Sequence, residues 1–256
     1  MSTTPFLLRR PFLLARDLCV DRTSPDLERL AAEPDAERFV WQILPHAART
    51  FASCIALLPT RATRAAAVGY LYCRCLDTYE DLVSDADTRD ASLEAFANRL
   101  EASGSRVAPG PILSDPTISD ARDESHVLLV ARHAAVDEVF LTLPDDVRRL
   151  IVDLVRDMAA GMRWSSRVFA EEGGLLRGED DVLRYCRHVL GGPVLFAVRL
   201  LRCVRMGDTG AADDLREDAM RVGEMIQLAN VTRDIEKDLR RGVAYLPELR
   251  PLLGLS

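Results

Sequence analysis

Two pairs of aspartates define the chemistry to look for. In the stretch Tyr70-Leu71-Tyr72-Cys73-Arg74-Cys75-Leu76-Asp77-Thr78-Tyr79-Glu80-Asp81, the carboxylates of Asp77 and Asp81 stand four residues apart. On a helix both lie on one face, one turn apart, with Tyr70, Cys73 and Arg74 sharing or bordering that face. A second stretch places Gly223, Gln227, Asn230, Asp234 and Asp238 at steps of four, three, four and four. That is a polar stripe along about four helical turns, flanked by Val222, Met225, Ile226 and Ala229. Either stretch alone also fits an ordinary helix with a solvated acidic face. Two such stripes facing each other would make a nest of carboxylate oxygens suited to hard cations. Mg²⁺ keeps several waters and uses one or two carboxylates plus substrate phosphates, so it would bridge the protein and a diphosphate rather than sit in a closed cage.

Long helices must position these groups. Glycine is sparse, Ala, Leu, Arg and Glu are abundant, and apolar residues recur at three- and four-residue spacing, which predicts an all-α chain. The expected helices run over 37–58, 62–83, 125–143, 144–163, 180–190 and 211–240, with Pro59 and Thr60 dividing the first two. Gly191-Gly192-Pro193 predicts a kink. The segment 104–125, rich in Gly, Pro, Ser and Asp, reads as a surface loop inside one domain spanning 1–256.

Composition bounds the partners. A chain of 256 residues that is 48% hydrophobic can bury a sizeable core. Forty acidic against 33 basic residues give a net charge of −7, which argues against nucleic acid and means that an anionic substrate needs cations to hold it. Cys19, Cys54, Cys73, Cys75, Cys186 and Cys203 form neither a CxxC pair nor a zinc spacing and read as buried free thiols of a reducing, cytoplasmic compartment. No run reaches the roughly 18 apolar residues of a transmembrane segment; peripheral membrane contact stays open. His46, His126, His133 and His188 lack the spacing of a metal set or triad and read as surface or capping residues. There is no Gly-rich phosphate loop.

With these motifs assembled, the chain resembles the squalene and phytoene synthase family, which condenses two prenyl diphosphates head to head. The first acidic motif is Arg74-Cys-Leu-Asp77-Thr-Tyr-Glu80-Asp81. The second is Gln227-Leu-Ala-Asn230-Val-Thr-Arg233-Asp234-Ile-Glu-Lys-Asp238, followed by Arg241-Gly242 and Tyr245-Leu246-Pro247. Arg49-Thr50-Phe51 and Tyr185-Cys186-Arg187-His188-Val189-Leu190-Gly191 match further motifs, so the resemblance spans about residues 48–247 in order.

The resemblance implies a single-domain, isoprenoid-synthase-like bundle with a central cavity, and ionisation of an allylic prenyl diphosphate, here farnesyl, to a carbocation. It implies Mg²⁺ held by Asp77, Asp81, Asn230, Asp234 and Asp238, and substrate held by Phe51, Arg74, Val189, Gln227, Asn230 and Arg233. It also places Tyr70, Tyr185 and Tyr245 beside the reacting groups. NADPH enters only if the product is squalene.

Four departures from the family pattern motivate a second reading, prenyl transfer to a small aromatic acceptor. Ala48 stands for a serine, Lys237 for an acid, and Pro193-Val194 for Val-Gly, a change expected to narrow the tunnel for a second tail. The chain also ends at Ser256, soon after Tyr245-Leu246-Pro247, where the family continues; either a C-terminal part is missing or the pocket closes differently. A third reading, a catalytically silent partner subunit, rests on Lys237 and that short C-terminus.

Overall fold

The computed structural model describes residues 24–48, 50–206 and 213–253, with positions 11, 15 and 19 before them. The helices are α1 (Leu27–Ala32), α2 (Ala36–Ala48), α3 (Thr50–Leu57), α4 (Thr60–Leu82), α5 (Ala86–Asn98), α6 (Ala121–Ala131), α7 (His133–Leu141), α8 (Asp145–Glu171), α9 (Glu179–Cys186), α10 (Gly192–Met206) and α11 (Arg216–Arg240). Among the described residues the β content is one isolated bridge, Leu175 to Ala244.

α4 is the centre of the bundle, in contact with α2, α3, α5, α6, α7, α8 and α10. Its composition explains this position. Ala62, Ala65, Ala67 and Val68 are fully buried and small, so neighbouring backbones approach closely, while Leu71, Tyr72, Leu76 and Tyr79 fill the gaps between them. Gly69 belongs to the same design, because a Cβ there would meet the Phe196 ring at 3.0 Å. α8 buries Val147, Leu150, Ile151, Leu154, Val155, Met158 and Met162 at helical spacing and carries Asp145 and Asp146 in its first turn, where the helix dipole favours them.

One polar cluster lies inside this core. Arg99 donates to both Asp137 carboxylate oxygens, at 2.7 and 3.0 Å, and the Tyr72 hydroxyl donates to the same carboxylate at 2.7 Å. Both charged residues are 7% exposed, so each satisfies the other where water cannot.

The expected helices 62–83 and 211–240 correspond to α4 and α11, although α11 starts at Arg216 after a short 3₁₀ turn, Asp213–Leu215. The stretch 125–143 is two helices that meet at Arg132. α8 continues to Glu171, and α5 is an additional helix capped by Asp85, whose carboxylate accepts from the Thr88 amide at 2.8 Å. The kink at Gly191-Gly192 is a π-helical turn, Arg187–Gly191. It wedges between α8 and α11, where Gly161 makes room for the His188 side chain and Gly223 lies against the backbone of Gly191.

The loop between α5 and α6 is strapped down rather than free. Arg148 donates to Gly104 O, Arg99 to Ala108 O, the Gly110 amide to His133 Nε2, the Tyr79 hydroxyl to Pro111 O and the Thr117 amide to Leu82 O, at 2.7, 3.2, 2.9, 2.7 and 3.0 Å. α6 starts at Ala121, four residues before the expected helix, because Asp120 caps it by accepting from the Arg122 and Asp123 amides. All six cysteines are free; Cys73, Cys75, Cys186 and Cys203 are buried, whereas Cys19 and Cys54 are exposed, which corrects the expectation of burial for those two. Among the described residues no helix is long and apolar enough to cross a membrane.

Candidate functional site

α4 presents Tyr70, Arg74, Asp77 and Asp81 along one face. Arg74 lies 3.0 Å from an Asp77 oxygen and donates to the Tyr70 hydroxyl at 3.1 Å. Phe51 of α3 covers the Tyr70 ring, with centroids 5.9 Å apart; Arg49 and the side chain of Thr50 lie outside the described residues. Burial pushes the Asp77 carboxyl up to about 6, with Arg74 and Arg122 pulling against it and the Asp81 charge adding to it. Glu80, an acid on the same turn, is also raised, first by burial and then by Asp81 and Asp77.

α11 supplies the second face. Gln227 is buried and accepts from the Asn230 amide at 3.1 Å. Arg233 forks onto Asp234 at 2.9 and 2.6 Å, and this hydrogen bonding holds the Asp234 carboxyl below its usual range. Asp238 shifts the other way, raised by burial and by Asp234, with Arg241 opposing. Val222, Met225 and Ile226, expected to flank a cavity, are instead 47%, 71% and 42% exposed. The reason is the contact at the kink: α11 turns Ala219, Met220 and Gly223 towards α10 and the π-turn, which leaves the other flank outward.

One ion pair joins the faces, and charge effects act across them. Arg241, just past the end of α11, lies 3.1 Å from an Asp81 oxygen. The Asp81 charge also acts on Asp238. Arg122, on the first turn of α6, acts on Asp77 and on Asp234. Beside this junction the Tyr185 and Tyr245 rings pack at a tilt of 45°, with centroids 5.1 Å apart and hydroxyl oxygens 3.4 Å apart, among Phe169, Val189, Val231 and Val243. Burial raises both phenols, and each feels Glu80 and Asp81. Val194 lies in a separate cluster with Leu195, Ala219 and Met220.

The donor set at the junction is hard oxygen, and Asp77, Glu80 and Asp238 carry charge that burial disfavours; a divalent cation shared with an anionic ligand fits it. Among the described residues no three acidic, histidine or cysteine side chains converge to hold a metal by themselves.

Sequence reasoning missed Arg122, Arg241 and the half-buried Glu80 as site residues, and it placed His126 at the surface although only 6% of it is exposed. Arg122 fell inside the stretch read as loop. The signal available was Asp120 followed by Glu124, an acid-rich helix start.

The profile of the family described as Squalene/phytoene synthase matches residues 44–249. A 15-cis-phytoene synthase of Synechocystis sp. (strain ATCC 27184 / PCC 6803 / Kazusa) is 29% identical over 251 residues, covering 93% of this chain and 62% of that protein. The 15-cis-phytoene synthase of Synechococcus elongatus is 27% identical over 228 residues, covering 86% and 63%. The chain thus spans less than two thirds of the length of these curated relatives. A solved complex of TcSQS with a ligand superposes with a TM-score of 0.62 at 24% identity, covering 79% of this chain and 54% of that one, a likeness of fold.

Proposed function

The chain belongs to the squalene/phytoene synthase family, and we propose that it condenses two prenyl diphosphates head to head, with Mg²⁺ held through Asp77, Asp81, Asn230, Asp234 and Asp238. The observation that carries this reading is the meeting of two acidic faces from α4 and α11, joined by Arg241 on Asp81. Mg²⁺, when bound, would supply Lewis-acid neutralisation of the leaving diphosphate.

This chain's own residues do the rest. Arg74, Arg233 and Arg241 rest on Asp77, Asp234 and Asp81, a store of cations that can turn to phosphate oxygens when substrate enters. Heterolysis of the allylic C–O bond sends the electron pair to the diphosphate and leaves a carbocation on the prenyl group. Neither an acid nor a covalent nucleophile is needed for that step. Tyr185, Tyr245 and Phe169 form a buried, edge-packed aromatic cluster suited to steadying positive charge while keeping water away.

The phytoene synthase names of the relatives support self-condensation over transfer to an aromatic acceptor. Farnesyl and geranylgeranyl diphosphate, each supplied alone with Mg²⁺, test the reading. A hydrocarbon or cyclopropylcarbinyl diphosphate built from two tails, seen by mass spectrometry of the extract, is the expected result; turnover that appears only with an added acceptor overturns it. NADPH is expected to alter the product only if the enzyme carries the reaction on to squalene.

A further inference from the structure

We propose that Gly174, in the turn between α8 and α9, is a positioning residue that sets the Tyr245 ring against Tyr185 and Phe169. The inference rests on the reading of the site as a prenyl diphosphate site and assigns to it a loop that carries neither aspartate pair.

Two helix ends meet in this loop. α11 stops in a Schellman turn: Gly242 takes a left-handed backbone, φ 77°, its amide donates to Leu239 O at 3.0 Å, and the Val243 amide donates to Asp238 O at 2.9 Å. α8 stops in the same way. Gly173 is left-handed, φ 64°, and the Gly174 amide donates back to Phe169 O at 2.7 Å. The two ends are then joined, because Gly174 O accepts from the Ala244 amide at 2.7 Å and forms the bridge between Leu175 and Ala244.

Each helix end closes on its own carbonyls, so Asp238 and Arg241 keep their places without the bridge. Tyr245, the residue after the bridged Ala244, does not. Leu175, Leu176 and Ala244 are each 1% exposed beside it. The Phe169 ring meets the Tyr245 ring edge-on, with centroids 5.9 Å apart, and Tyr185 lies 5.1 Å away.

The joint has no slack. At Gly174, φ 89°, a Cβ would fall 2.0 Å from Gly242 O, a backbone atom that cannot rotate away. At Gly173 a Cβ meets nothing within 4 Å, although the positive φ disfavours a side chain there as well. A side chain at 174 therefore pushes the segment from Gly242 to Tyr245 off α8, whereas one at 173 strains the turn and leaves the joint shut. A displaced Tyr245 ring no longer steadies positive charge as it develops, so the chemical step slows while the hold on the diphosphate is unchanged.

Steady-state kinetics of the whole protein with Mg²⁺ and farnesyl or geranylgeranyl diphosphate, whichever the wild type turns over, test this. Gly174→Ala is expected to lower kcat roughly 10- to 100-fold, with little change in KM or in the calorimetric affinity for inorganic pyrophosphate. Gly173→Ala is expected to lower thermal stability and keep the wild-type kcat. If Gly174→Ala does not fold, Ala244→Pro, which removes the amide that donates to Gly174 O, carries the test with the same expected split. Wild-type kcat in folded Gly174→Ala, or equal losses of kcat in the two glycine variants, overturns the inference and leaves the proposed function standing. Failure of both Gly174→Ala and Ala244→Pro to fold makes the joint a folding element and overturns the inference too. A wild-type protein that turns over neither diphosphate overturns both readings.

Discussion

The Arg241 guanidinium lies 3.1 Å from the Asp81 carboxylate, closing the far end of α11 onto the acidic turn of α4 across 160 positions of sequence. Both side chains are more than a third exposed, so the pair is worth less than about 1 kcal/mol to the fold. Its weight falls on the site, where the guanidinium competes with any metal for Asp81. Arg241→Gln should therefore leave the melting temperature within a few degrees of wild type and lower the Mg²⁺ concentration that gives half-maximal rate. A higher Mg²⁺ requirement would show that Arg241 does not compete at Asp81.

Burial raises the Asp77 carboxyl from 3.8 to about 6, which has a definite sign for stability. Between those values the folded protein binds more protons than the unfolded chain, so stability falls as pH rises from about 4 to about 6. Asp85, Asp90 and Asp234 are shifted the other way, and their contributions are lost only below 3.8. Glu80 and Asp238, raised as well, add a slope of the same sign, so urea titrations across this window should show a downward slope in the metal-free protein that Asp77→Asn reduces, by up to about 3 kcal/mol. Added Mg²⁺ should flatten the same slope, because it favours the ionised carboxylate.

The π-turn depends on two glycines. A Cβ at Gly223 would fall on the backbone of Gly191 and Leu190, and neither can retreat without moving α10. Gly223→Ala should cost at least about 1–3 kcal/mol and depress activity with it, since Asp234 and Asp238 ride on the same helix. Gly178→Ala, where a Cβ meets nothing within 4 Å, is the control and should stay within about 0.5 kcal/mol. Equal stabilities for the two variants in chemical denaturation would contradict the close packing.

Arg99 and Asp137 are buried together, so removing one strands the other. Asp137→Ala should destabilise the protein by about 3–5 kcal/mol. Tyr72→Phe, which deletes one hydrogen bond of the cluster, should cost only about 0.5–1.5 kcal/mol. Reversal of that order in urea melts would mean that the tyrosine, not the ion pair, anchors α7 to α4.

Much of the site was legible because its groups repeat at helical spacing. Asp77 and Asp81, and the stripe from Gln227 to Asp238, follow from period alone, and both helices carry them as expected. What escaped was decided by tertiary packing. Arg122 sits after a run of Gly, Pro and Ser that reads as loop, and only the Asp120 cap separates loop from helix. Val222, Met225 and Ile226 are apolar at the right spacing to line a cavity, but the close contact of Gly223 with Gly191 sets the rotation of α11 and turns them out. His126 and Asp137 look like solvated residues in sequence; both are buried, and Asp137 is held by Arg99, 38 positions away.

The strapped loop between α5 and α6 is anchored at Gly104, Ala108, Gly110, Pro111 and Thr117, and the stretch 112–116 between the last two holds on to the core only through Leu113. Ile112 is 87% exposed there and Asp115 takes a left-handed backbone, φ 44°. A protease acting on the native protein would therefore be directed to this stretch, yet the cut ends would stay tied to α4 and α7 by the flanking anchors. The two fragments would hold together as a split protein, Asp77 and Asp81 on one and Arg122, Asp234 and Asp238 on the other.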